Sequence, residues 1–160
     1  MSPERFIDLV RAEQESLRRF LLALCGGDSF EADDIAQDAL IRAYVASGNF
    51  LGLSRFSTWL FRIAYNCYLD RRRKTRPETV PVDAGQALDV PSADETDSSF
   101  RYQRLYQALE LLPEKEKAAI VLHYFEDMSI KEIASILQIP SGTVKYHLSI
   151  GRNHLKTLLQ

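Results

Sequence analysis

Apolar residues recur at three- and four-residue intervals along most of the chain, the period of a helix with one buried face. Phe6, Leu9, Val10, Leu17, Phe20, Leu21 and Leu24 carry this rhythm until Gly26-Gly27 interrupts it. Ahead of them, Ser2-Pro3-Glu4 supplies a capping hydroxyl, a proline suited to a first turn and an acid at the positive end of the helix dipole. Asp28 and Glu31 have the spacing of a capping box, which opens a second helix carrying Ile35, Ala39, Ala43 and Tyr44 and closed by Gly48-Asn49. "FSTWLFRIAYNCYLDRRRK" predicts a third helix with Trp59, Leu60, Ile63, Ala64 and Cys67 on one side.

The rhythm then collapses. Residues 77–99 hold three prolines, six acids and no helical period, the composition of a flexible acidic linker. Beyond it, "FRYQRLYQALELL" is periodic up to Pro113, and "PEKEKAAIVLHYFED" restarts behind that proline. Ser129 with Glu132 makes another capping box, and Ser141 caps the last helix. The expected fold is all-α, with two small helical domains, 1–76 and 100–160, joined by the linker 77–99.

Within the second domain, Ile133, Ala134 and Leu137 share one helix face, Ile139 fills a turn, and Val144 and Leu148 follow four residues apart. A small residue where two short helices cross steeply is the pattern of a helix-turn-helix. The outer positions of the last helix include Lys145, Tyr146, His147, Ser149 and Arg152, and no acid occurs from residue 133 onward. Such a helix can enter the major groove without repelling phosphate. The same pattern also describes a helical hairpin packed on a protein partner, so it leaves the biological role open.

Charge sharpens the picture. The 160 residues carry a net −2, but 55–76 hold seven basic residues and one acid, against six acids and no base in 77–99. A near-neutral average therefore conceals a basic block able to meet phosphate. In that block Phe56, Trp59, Phe61, Tyr65 and Tyr68 precede Arg71, Arg72, Arg73 and Lys74. Trp59, Ile63 and Cys67 are expected to point into the core, with Phe61, Tyr65 and Tyr68 partly off that face. Rings beside cations suit single-stranded nucleic acid, bases stacking while the cations hold the backbone.

No catalytic centre is expected. His123, His147 and His154 are scattered, no Gly-rich phosphate loop occurs, and neither a metal nor a cofactor is implied. Cys25 and Cys67 fall inside apolar-periodic runs, as buried thiols of a reducing compartment do. The first residues lack the basic-then-apolar order of a signal peptide, and no apolar run is long enough to span a membrane. The expected location is the cytoplasm.

Taken in order, "DDIAQDALIRAY", "RFSTWLFRIAYNCYLDRRRK", the acidic linker and "LPEKEKAAIVLHYFEDMSIKEIASILQIPSGTVK" resemble the extracytoplasmic-function group of bacterial sigma factors. The resemblance covers roughly residues 6–76 and 104–158. It implies that the first domain docks on core RNA polymerase, melts the promoter and captures a flipped base of the −10 element. The second domain would place its helix-turn-helix on the −35 element. By position, Asp34, Gln37 and Asp38 match the core-binding helix. Phe50 and Asn66 match positions around the flipped-base pocket, and Trp59, Tyr65, Arg71, Arg72 and Arg73 are expected to join them in −10 binding and melting. Lys145, Tyr146, Ser149 and Arg152 match positions on the groove-facing side of the last helix, with Ser141 and Thr143 expected to contact the −35 DNA beside them. Core polymerase and promoter DNA are the implied partners, and an anti-sigma factor is a partner the resemblance leaves open. "TVKYHLSIGRNHL" also resembles the end of LuxR-type regulators, which would require an N-terminal α/β domain, and residues 1–76 show no alternating strands.

Overall fold

The computed structural model describes residues 1–75 and 97–160, with side chains described for 1–74 and 101–160. Among these residues all regular structure is helical: α1 (Pro3–Leu24), α2 (Ser29–Ala46), α3 (Phe56–Thr75), α4 (Asp97–Glu110), α5 (Glu114–Ile120), α6 (Ile130–Leu137) and α7 (Ser141–Leu159). A short 3-10 turn, Ser47–Asn49, follows α2, and a π-type turn over Val121–Phe125 extends α5. The expected linker lies outside the described residues up to residue 96. Its last three positions, 97–99, belong to α4 instead.

Local chemistry accounts for three of the helix starts. The Ser2 hydroxyl accepts from the Arg5 amide at 3.2 Å, with Pro3 in the first turn. Ser129 and Glu132 form the complete reciprocal box. Asp28 makes half of one: its carboxylate accepts from the Glu31 amide, but the Glu31 side chain turns toward Arg72, 3.8 Å away. Ser141 does not cap α7. Pro140 holds the N-cap position without a side-chain bond, and Ser141 is the first helical residue.

The first three helices pack on one another around Leu17, Phe20, Leu21, Ile35, Ala39, Leu60 and Ala64, all essentially inaccessible. Phe20 stacks on Phe61 with ring centroids 5.1 Å apart. In the second half, α5, α6 and α7 close over Ile120, Ile133, Leu137, Val144 and Leu148. Gly151 lies buried where α7 crosses α5, and a β-carbon there would meet the Ile120 side chain at 2.9 Å.

The two halves also pack together, α3 against α6 and α1 against the π-type turn. This corrects the expected facing of α3. Phe61, Tyr65 and Tyr68, placed partly off the core face, are fully buried, whereas Trp59 and Ile63 are half-buried. The second half covers a helix side that would face water in the first half alone. Cys25 and Cys67 are free, buried thiols as expected.

Candidate nucleic-acid interface

Three surfaces gather the residues singled out in the sequence. The first is α2, which exposes Asp34, Gln37 and Asp38. Asp34 pairs with Arg71 of α3 at 3.0 Å, and its neighbour Asp33 pairs with Arg18 at 3.3 Å. Just beyond, Ile41 and Val45 stand exposed on α2. Neither is among the residues singled out in the sequence. Their signal was there to find: they fall outside the stripe set by Ile35, Ala39 and Ala43.

The second surface surrounds the N-terminal half of α3. The loop after α2 brings Phe50 onto Trp59, with centroids 5.0 Å apart, and Phe56 closes the group at 5.9 Å from Phe50 and 5.7 Å from Trp59. Phe56 itself rests edge-on against Phe6 of α1. These contacts hold Phe50 and Trp59 half-buried at the surface. Asn66 is exposed seven residues after Trp59, on the same side of the helix about 10 Å along its axis. An aromatic shelf followed by a free amide can stack one base and pair with an edge. Leu51 and Leu53 project from the adjoining loop into solvent.

Tyr65 does not join this surface. Its ring is buried beside Tyr68 and under Lys115, and its hydroxyl has no partner among the described residues. Desolvation pushes that hydroxyl's pKa above the ordinary phenol value. The arginines separate in the same way. Arg73 is exposed and pairs with Asp70 at 3.0 Å, and Arg71 pairs with Asp34. Exposed pairs of this kind contribute about 0–1 kcal/mol, so a phosphate can replace the carboxylate. Arg72 is held more firmly, by the Leu24 carbonyl at 3.2 Å, by Glu110 at 3.2 Å and over the Tyr68 ring.

The third surface is the outer side of α7. Gln138 ends α6 in the left-handed region, φ 56°, and the Ile139 amide donates back to the Ala134 carbonyl, turning the chain sharply. Val144 and Leu148 then fix α7 on Ile133 and Leu137, all four buried. Lys145, Tyr146, Ser149 and Arg152 are left exposed, with Ser141 at the helix start and Thr143 half-buried one turn in. Arg152 donates to the Tyr124 hydroxyl at 3.0 Å, so its guanidinium is oriented before any ligand arrives.

Two family profiles match the sequence, "Sigma-70 region 2" over residues 9–78 and "Sigma-70, region 4" over residues 102–155. The ECF RNA polymerase sigma factor SigW of Bacillus subtilis is 35% identical across 98% of this chain and 90% of its own length. The chain belongs to the extracytoplasmic-function group of the sigma-70 family. The RNA polymerase sigma-H factor of Pseudomonas aeruginosa is 35% identical over 83% of the chain and 75% of its own length. Among solved structures, the sigma factor RpoE of Bartonella quintana, in complex with the anti-sigma factor NepR, aligns with a TM-score of 0.78 at 26% identity, covering 98% and 97% of the two chains. CnrH, solved with the cytosolic domain of CnrY, aligns at 0.76 and 24% identity, a likeness of fold. As a sigma factor the protein is a DNA-binding transcription regulator, and no described helix is long and apolar enough to cross a membrane.

Proposed function

We propose that this sigma factor joins core RNA polymerase in the cytoplasm and directs initiation at its own promoters through two domains, 1–76 and 97–160, joined by the acidic segment between them. The exposed acids and amide of α2, Asp34, Gln37 and Asp38, meet cationic side chains of the polymerase. The Phe50–Trp59 shelf and Asn66 take a base flipped out of the −10 element, while Arg71 and Arg73 hold the backbone. On α7, Lys145, Tyr146 and Ser149 face base edges of the −35 element, and Ser141, Thr143 and Arg152 face its phosphates. By analogy with the NepR-bound neighbour, an anti-sigma factor is a further partner.

The observation that carries this reading is the rigid, acid-free outer side of α7, held by buried Val144 and Leu148, on the same chain as the Phe50–Trp59 shelf. The test is in vitro transcription by core polymerase with and without this chain, on a promoter library with randomised upstream bases. A lost base contact costs about 1–3 kcal/mol and relaxes one position, whereas a lost phosphate contact weakens all sequences alike. Tyr146→Ala or Ser149→Ala should therefore change the preferred upstream bases, and Arg152→Ala should lower output on every sequence. If all three variants return the parental motif at parental strength, α7 does not read the −35 element.

A further inference from the structure

The α5 helix does not finish as an α-helix. Over Val121–Phe125 the backbone widens into the π-type turn, closed by the Glu126 amide on the Val121 carbonyl, five residues back, at 3.3 Å. A turn of this kind admits an extra residue, swings the following side chains around the axis and recurs at functional sites. Here it carries His123 and Tyr124. Nδ1 of His123 lies 3.2 Å from the Met128 carbonyl, which can only accept, so the imidazole donates there. The Tyr124 ring meets that imidazole edge-on, with centroids 4.8 Å apart. Tyr124 is thus braced through its ring while half of it stays exposed.

The tip of Tyr124 reaches α7. Its hydroxyl accepts from Arg152 at 3.0 Å and finds no acceptor for its own proton among the described residues. This sets Arg152 apart from the arginines of α1 and α3. Arg18, Arg71 and Arg73 each rest on a carboxylate. Arg152 is held by a neutral oxygen instead, so its position is fixed while its charge stays uncompensated. A phenol that accepts from a guanidinium is polarised and becomes a better donor through its remaining O–H. Two elements therefore present O–H and N–H donors side by side, next to the acid-free outer side of α7.

We infer that Tyr124 is a DNA-contacting residue that works as one unit with Arg152, the phenol and the guanidinium together gripping a single backbone phosphate beside the −35 element. The inference rests on the upstream-reading function proposed above and adds a second element that touches the DNA. The two groups divide the work. The guanidinium supplies the charge that draws in the phosphate and displaces a counterion. The phenol accepts one N–H, which orients the guanidinium, and donates its own O–H to the same phosphate in a charge-assisted bond. Phosphates carry no sequence, so the pair sets the register of α7 on the duplex and reads no base.

Binding of the complete holoenzyme, core polymerase with the full-length chain, to a promoter recovered from the randomised library tests the pair. The duplexes carry one neutral methylphosphonate linkage at a time across the upstream element. In the parent one linkage should stand out, its neutralisation weakening binding about tenfold. Tyr124→Phe should bind every upstream sequence about fivefold to tenfold more weakly, the scale of one hydrogen bond, and should lose its sensitivity at that same linkage. Arg152→Ala should lose it too and make the salt dependence shallower by about one unit, whereas Tyr124→Phe removes no charge and should leave the slope unchanged. Adding Tyr124→Phe to Arg152→Ala should cost less than about a further twofold, since the phenol no longer has a guanidinium to aim it. Tyr102→Phe, at an exposed tyrosine of α4, should match the parent. A phenol with a merely structural role would weaken all linkages alike and would not erase one of them from the profile. Tyr124→Phe with parental affinity and profile, or with its loss at a different linkage from Arg152→Ala, or with altered base preference, overturns the inference. A parent holoenzyme without any upstream preference overturns the underlying function instead.

Discussion

Adding one methyl group at Gly151 sets two known effects against each other. Alanine is favoured over glycine inside a helix by about 1 kcal/mol, so helix propensity alone makes Gly151→Ala stabilising. The crossing of α7 over α5 argues the reverse. The new β-carbon would lie 2.9 Å from Ile120 Cγ1 and 3.2 Å from its Cδ1, with Glu116 Cβ at 3.8 Å behind. Ile120 is 2% exposed, so its side chain has nowhere to retreat. Overpacking of that kind costs about 1–3 kcal/mol, which leaves a net loss of about 1 kcal/mol after the gain in propensity. For a chain of this length the thermal midpoint should fall by about 2–4 °C. Ile120→Ala alone opens a cavity and should cost about 2–5 kcal/mol. With both substitutions present, the methyl at 151 occupies part of that space, so the pair should be better than additive by about 1–2 kcal/mol. Thermal melts of the four proteins complete the cycle. A raised midpoint for Gly151→Ala together with strict additivity would refute the close crossing.

Reversing Asp34 and Asp38 to Lys should weaken association with core polymerase, measured by fluorescence anisotropy, while circular dichroism stays at the parental value. Asn66→Ala should reduce permanganate reactivity of the melted −10 region with little change in the salt dependence of promoter binding, whereas Arg71→Ala with Arg73→Ala should make that dependence shallower by about one unit per lost phosphate contact. The Cys25 thiol is pushed up to about 12 by burial, and burial also raises Cys67. Neither should therefore react quickly with a disulfide reagent at pH 8 until the protein unfolds. Because folding raises these values, the stability tied to them is intact below the unfolded thiol value of 9.0 and is lost as pH rises toward 12. Urea melts between pH 8 and 11 should show that decline, and it should be smaller in Cys25→Ala with Cys67→Ala, the remainder coming from the buried tyrosines, whose values folding also raises.

What could be read from the sequence follows the range of the interactions. Helices and their caps depend on residues three or four apart, so Ser2, Ser129 with Glu132, and the Val144–Leu148 pair were legible. Ser141 was displaced by a single position because Pro140 can take the cap conformation without a side-chain bond. The Glu31 half of its capping box was lost to Arg72, a competitor 41 positions away that local pattern cannot reveal. The same blindness put Tyr65 and Tyr68 partly outside the core. Their burial depends on α5 and α6, contributed from beyond the linker. Lys117, in a run of alternating charges behind Pro113, reads as an ordinary solvated lysine. Nothing near it in sequence announces that Leu24 and Tyr68 will close over it.

The turn between α1 and α2 carries a related consequence. Gly26 and Gly27 both adopt positive φ, 65° and 89°, to reverse the chain. They also face α4. A β-carbon at Gly26 would strike Glu110 Cγ at 2.8 Å, and one at Gly27 would press on the Tyr106 ring at 3.1 Å. Glu110 cannot swing away cheaply, because its carboxylate is held by Lys117 and Arg72. The two glycines thus serve as hinge pin for one half and doorstep for the other. A side chain introduced there disturbs both roles together, so a lineage that loses either glycine must rebuild the turn and the seam in concert.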